Sequence, residues 1–230
     1  MITLNRRRVI SENGEDPNRF TLLYEWEASR WTDDNSAWGD SISGYNLSKN
    51  GSPTKGADDG AYIVVNTSNY FYRPGNTNLP MPRNWMWEIT FMRTIAVTGK
   101  NWYLVDFGSL GSATNGGIGL YVTPAGNFGI NCKPTNNTVV GNVSLAAGIE
   151  DNIKYTVRMG CQQYSSTQDV QWIEFNGVKV TATTPHSPFA NLSKPALGRY
   201  FGKGCYSGNA YSDGTGRLYD IKIYTDTQTV

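Results

Sequence analysis

Glu25 and Glu27 stand two residues apart in a short β-rich run, so strand alternation would put both carboxylates on one face. Retaining glycoside hydrolysis needs two carboxyl groups about 5 Å apart. No longer acidic ladder occurs, and with Arg30 close by the pair is expected to face solvent. His186, the one histidine, sits between prolines in Pro185-His186-Ser187-Pro188. A Ser-His-Asp triad would have to use it, yet no Gly-x-Ser-x-Gly elbow exists, and a surface-loop role is expected. Gly204-Cys205-Tyr206-Ser207-Gly208 places nucleophile types among glycines without a base at a known spacing. Catalysis is therefore not expected.

Oxygen-rich loops offer the other inorganic chemistry. Asp33-Asp34-Asn35, Asp58-Asp59-Gly60 and Asp213 supply ligand types for Ca²⁺, but none has the EF-hand spacing. Asx-turns and solvated loop tips account for them, so no metal or other cofactor is expected. Cys132, Cys161 and Cys205 are an odd set without C-x-x-C spacing, which reads as free structural thiols.

Aromatic rings beside amides, carboxylates or guanidinium groups are the most abundant combination. Sugar rings present C–H patches edged with hydroxyls, and flat aromatic faces with nearby polar groups suit them. The candidates for glycan contact are Trp31 and Trp38, Tyr70 and Tyr72, Arg199, Tyr206, Tyr211 and Asp213. Against this stands the need of an all-β core for its seven tryptophans.

The elements that must carry these residues are strands. Short alternating runs recur from Leu22 onward, including Trp85 to Met92, Trp102 to Phe107, Ile118 to Val122, Phe128 to Cys132, Ile153 to Met159, Val170 to Phe175 and Leu218 to Tyr224. Thr123-Pro124-Ala125-Gly126-Asn127 and Asn176-Gly177 are turn signals between them, the second a type I′ hairpin. No sustained helical period occurs. The reading is one all-β domain, a two-sheet antiparallel jelly-roll sandwich over residues 21–230, preceded by an extended arm over residues 1–20.

The 230 residues include 20 basic and 19 acidic side chains, a balance that gives no bulk field for a nucleic acid. Charged residues make up 17%, below the roughly 25% of an average soluble domain, with Asn, Ser, Thr and Gly filling the difference. No apolar run approaches the length of a membrane span, and the basic start lacks the apolar region of a signal peptide. Six Asn-x-Ser/Thr sequons follow from that composition.

In order, these segments resemble the concanavalin A-like lectin/glucanase superfamily, in its laminin-G-like branch. The motifs are Trp38-Gly39-Asp40-Ser41-Ile42-Ser43-Gly44-Tyr45-Asn46-Leu47, the hairpin Phe175-Asn176-Gly177-Val178, Leu197-Gly198-Arg199, and the closing strand Gly216-Arg217-Leu218-Tyr219-Asp220-Ile221-Lys222-Ile223-Tyr224. Ile153-Lys154 replaces the branch's usual Trp-His pair, and the glucanase Glu-x-Asp-x-x-Glu strand is missing. The resemblance implies about 14 strands in two face-packed sheets, with ligands on the concave sheet or its rim loops. Residues 1–8, ending in Arg6-Arg7-Arg8, are similar to the basic starts of tail and fibre proteins of phages of gut Bacteroidetes. Together these readings point to a non-catalytic, lectin-like virion surface protein that docks on other subunits through Arg6, Arg7 and Arg8 and binds polysaccharide. The alternative is a bacterial carbohydrate-binding protein or glycoside hydrolase of the same fold.

Overall fold

The computed structural model describes residues 20–32, 37–66, 68–73, 83–95, 101–108, 117–133, 142–186, 199–201, 205–206, 209–210 and 215–226. They form eighteen strands, more than the fourteen expected, because several are only two or three residues long. The strands are β1 (Phe20–Glu27), β2 (Ala37–Trp38), β3 (Leu47–Asn50), β4 (Thr54–Gly56), β5 (Tyr62–Val65), β6 (Tyr70–Arg73), β7 (Trp85–Ile95), β8 (Trp102–Gly108) and β9 (Gly117–Val122). They continue as β10 (Phe128–Lys133), β11 (Val143–Leu145), β12 (Lys154–Ser165), β13 (Gln168–Phe175), β14 (Val178–Thr181), β15 (Arg199–Phe201), β16 (Cys205–Tyr206), β17 (Asn209–Ala210) and β18 (Thr215–Asp226).

Two eight-stranded sheets result, every pairing antiparallel. The back sheet runs β14-β13-β12-β7-β18-β5-β4, with β1 also paired to β18. The front sheet runs β11-β10-β9-β8-β15-β6-β3-β2, and β16 and β17 form a separate ribbon. The two-sheet sandwich expected from the alternating runs is the fold.

Alternation fixes which side chains meet between the sheets. Trp87, Ile89 and Phe91 from β7, Val157 and Met159 from β12, and Leu218, Ile221 and Ile223 from β18 face Leu104, Ile118, Leu120, Phe128 and Ile130 of the front sheet, all of them fully buried. Leu218 and Ile221 are three residues apart yet both point inward. A bulge at Tyr219 supplies the extra residue, so the period-2 pattern resumes in phase. The Asn176-Gly177 hairpin has φ of 50° and 75°, the two positive values that a type I′ turn requires.

The opening motif works through Asp40, which is buried. Its carboxylate accepts from the Glu25 amide at 2.6 Å, from the Ser43 amide at 2.6 Å, from the Ile42 amide at 3.2 Å and from the Ser43 hydroxyl. One side chain thus ties β1 to the turn after β2. That explains an Asp at the head of this turn, since an acceptor-only group with several lone pairs is what converging N–H donors need.

Candidate functional site

Trp31 and Trp38, expected on a sugar-binding surface, are core residues, 1% and 0% exposed. Both pack edge-on against Phe71, at ring distances of 5.3 and 5.2 Å, and the Trp38 indole N–H donates to the Glu27 carbonyl at 2.9 Å. Burying two indoles against one phenyl ring closes this end of the sandwich, and their faces are not open to a ligand. Tyr70 is also buried and packs on the half-buried Tyr72 at 6.0 Å. Arg199 lies in β15 opposite Arg73, and Tyr206 lies in β16. Tyr211, Asp213, Asp33, Asp34 and the arm residues Arg6, Arg7 and Arg8 lie outside the described residues.

The carboxylates of the back sheet are committed elsewhere. Glu25 was expected in solvent but is buried, taking a hydrogen bond from the Ser41 hydroxyl at 2.9 Å with Lys222 at 3.8 Å. It is held in place because its neighbours Tyr24 and Trp26 anchor β1 in the core. Glu27 pairs with Arg30 at 2.6 Å, as the sequence suggested. Asp58 and Asp59, the calcium candidates, are engaged by Arg217 at 3.0 and 3.5 Å, and the Tyr219 hydroxyl donates to Asp59 at 2.6 Å. Asp58 is held below its usual range, first by the Tyr62 hydroxyl and further by Arg217. Among the described residues no group of His, Cys, Asp and Glu could hold a metal ion.

His186 is 4% exposed rather than on the surface. Its backbone N–H and C=O both pair with Asp169, at 2.9 and 2.8 Å, so the segment is stitched to the start of β13. Cys132 and Cys161 are buried free thiols, pushed well up by burial. They behave as apolar core side chains.

What remains open is a set of rings on the outward faces of the two sheets. On those outward faces three strand glycines lie directly beneath an aromatic ring. A Cβ on Gly56 would meet Tyr62 at 2.2 Å, one on Gly160 would meet Trp172 at 2.3 Å, and one on Gly129 would meet Tyr121 at 2.3 Å. A ring can lie flat on a neighbouring strand only where that strand has no side chain. Each such ring becomes a platform with its second face outward.

On the back sheet those second faces are taken. The Arg217 guanidinium sits 4.0 Å over Tyr62, Lys179 sits 4.2 Å over Trp172, and Lys154 sits 3.9 Å over Tyr219. Tyr121 on the front sheet is half-buried, and among the described residues no cation covers it. Tyr103 leans on it at 5.3 Å, and the Asn131 amide donates to the Tyr103 hydroxyl at 2.6 Å. Burial raises the Tyr121 hydroxyl above its ordinary range, so it stays a neutral donor.

Register builds the surroundings. Asn131 pairs with Gly119, Gly119 with Asp106, Asp106 with Tyr200, and Tyr200 with Tyr72. One row of positions thus crosses β10, β9, β8, β15 and β6. Tyr121 and Asn131 were read only as members of core strands in the sequence. The signal was there in the glycines: Gly119 and Gly129 alternate with Ile118, Leu120, Phe128 and Ile130, and glycine opposite large apolar residues marks a face approached closely from outside.

No protein-family model matches the chain, and no curated protein matches it in sequence. Solved structures do share the fold. Domain 4 of a GH43 extracellular arabinanase from Geobacillus stearothermophilus, solved in complex with arabinotriose, superposes with a TM-score of 0.57 at 13% identity, covering 92% of this chain and 95% of that one. The binding domain of Paraclostridial Mosquitocidal Protein 1 gives 0.59 at 14% identity over 90% of this chain and 49% of that one. A mutant Trypanosoma rangeli sialidase displaying trans-sialidase activity gives 0.58 at 12% over 90% and 31%. The chain therefore spans about a third of that sialidase and half of the mosquitocidal binding domain. At these identities the likeness is one of fold, a two-sheet β-sandwich.

Proposed function

We propose that the protein binds carbohydrate without hydrolysing it, through the outward face of the front sheet. The observation that carries this reading is the Tyr121 ring, seated against Gly129 with no cation over it among the described residues and the Tyr103–Asn131 pair beside it. A flat ring offers a sugar's C–H face a dispersion surface, and adjoining amide and phenol groups meet its hydroxyls. The arabinotriose complex of the similar arabinanase domain supports the class of ligand. No acid and nucleophile adjoin the platform among the described side chains. Affinity electrophoresis through gels containing soluble polysaccharides tests the proposal. At least one polysaccharide should retard the protein, Tyr121→Ala should abolish the retardation while leaving the circular dichroism spectrum unchanged, and no reducing ends should be released. A Tyr121→Ala protein retarded as strongly as the parent would refute the site, and released reducing ends would refute the absence of catalysis.

We further propose that the sandwich is displayed on a larger assembly, a phage virion surface in the reading the N-terminal resemblance favours. Residues 1–19 serve as the docking arm, Phe20 belonging to β1, with Arg6, Arg7 and Arg8 meeting carboxylates of a neighbouring subunit through bidentate pairs. Deleting the first 19 residues should leave the melting temperature within about 2 °C, since β1 begins at Phe20. Incorporation into the parent particle should be lost. A truncated protein that still incorporates would remove the arm from this role.

A further inference from the structure

We propose that the ligand of the front face is an uncharged polysaccharide chain laid across the strands, an inference that rests on the carbohydrate-binding reading above. The two sheets differ sharply in the charge they turn outward. The back sheet carries Glu88, Glu174 and Arg158 as a linked set, with Arg158 donating to Glu88 at 2.9 Å and to Glu174 at 3.2 Å. Lys222 with Glu25, and Arg217 with Asp58 and Asp59, extend the same pattern.

The front sheet has none of this among its described outward side chains. They include Ser48, Asn50, Tyr72, Tyr103, Tyr121, Asn131 and Ser144, placed outward by alternation with Leu47, Phe71, Leu120, Ile130 and Val143 of the core.

A carboxylated or sulfated sugar gives up more hydration than a neutral one when it docks, and charge-assisted bonds from a cationic donor offset that loss best. Hydroxyls and amides satisfy a neutral glycan equally well and ask for no counter-charge. The described part of the face is thus better matched to hydroxyl-bearing rings than to anionic ones.

The shape of the row sets the length of the ligand. Outward positions from Tyr72 to Asn131 cross four strand spacings, about 19 Å in all. A sugar residue advances a chain by close to one strand spacing, so successive rings meet successive strands. Tyr72 lies toward one end of that path and Tyr121 toward the other.

The test is a paired panel on the full chain. Laminarin, arabinan, xyloglucan and galactomannan form the neutral arm; polysialic acid, alginate and hyaluronan form the acidic arm. Each is run at about 50 mM and about 0.5 M salt. Binding to a neutral polymer, unchanged by salt and weakened at least tenfold in Tyr121→Ala, is the expected result. With oligosaccharides of the polymer that binds, affinity should climb with length and level off near five residues. Tyr121→Phe should retain binding, which separates loss of the ring from loss of fold. Salt-sensitive binding to an acidic polymer that Tyr121→Ala also weakens would overturn the uncharged ligand and leave the site standing. Binding that is already maximal for a disaccharide would overturn the extended path. No binding to either arm would overturn the carbohydrate reading itself.

Discussion

Arg93→Ala should lower the unfolding free energy by about 3 kcal/mol, with a reduced urea midpoint and an unchanged slope. Arg93 is only 4% exposed, at the far end of β7. Its guanidinium donates to the Asp151 carboxylate at 2.5 Å, to the Thr123 carbonyl at 2.7 Å and to the Ile149 carbonyl at 3.0 Å. Its own carbonyl accepts from the Asn152 amide at 2.7 Å. The turn after β9 and the loop before β12 are therefore gathered onto the end of β7 by one planar fork. Removing it takes the guanidinium donor from the buried Ile149 carbonyl and leaves the Thr123 carbonyl with the Gly126 amide alone, whereas Asp151, more than a third exposed, is rehydrated. Arg93→Lys should recover less than half of the loss, because a point-like ammonium cannot reach three diverging acceptors at once. A loss below about 1 kcal/mol in Arg93→Ala would show that the loops hold together without it.

Gly129→Val should reduce polysaccharide binding by at least about tenfold while every tyrosine stays in place. A Cβ at this position comes within 2.3 Å of the Tyr121 ring carbon Cζ and 2.4 Å of its hydroxyl. The atoms approached are the far end of a side chain, so the ring swings up from the sheet and the strand itself stays paired. The cost in stability should be about 1–2 kcal/mol from lost ring contact, and the fold should persist. Unaltered binding by Gly129→Val would mean that the flat seating of Tyr121 plays no part. Serine at the same position should fall between, since it adds the clash without a second branch.

The fold was legible because its signals are local and repeated. Trp85 to Met92 shows its buried face in plain alternation, and Asn176-Gly177 announces its turn in two residues. The strand number was underestimated because β2, β4, β16 and β17 are two or three residues long and leave no period to read. The site was legible only in kind. Trp31 and Trp38 lie in polar stretches and look like surface residues. Their burial depends on Phe71, which is distant in sequence and meets them only once β6 is in place. His186 follows the same logic: its flanking prolines signal a loop, but nothing local says that Asp169 will pair with its backbone. Glu25 looks solvent-facing by alternation, and a turn fifteen residues on closes over it. Tyr121 was passed over for the opposite reason. It sits in a strand of core residues, and its outward seat depends on a glycine in the next strand.

Phe20 and Asp226 are register partners at the outer end of the β1–β18 pair. The first strand's start and the last strand's finish therefore emerge side by side, and the sandwich closes on itself like a bead on a looped thread. Such a unit can be spliced into an exposed loop of an unrelated host protein without prying that loop apart. In a graft of that kind the two tethers leave from one end of the back sheet, while the Tyr121 platform lies on the outward face of the other sheet.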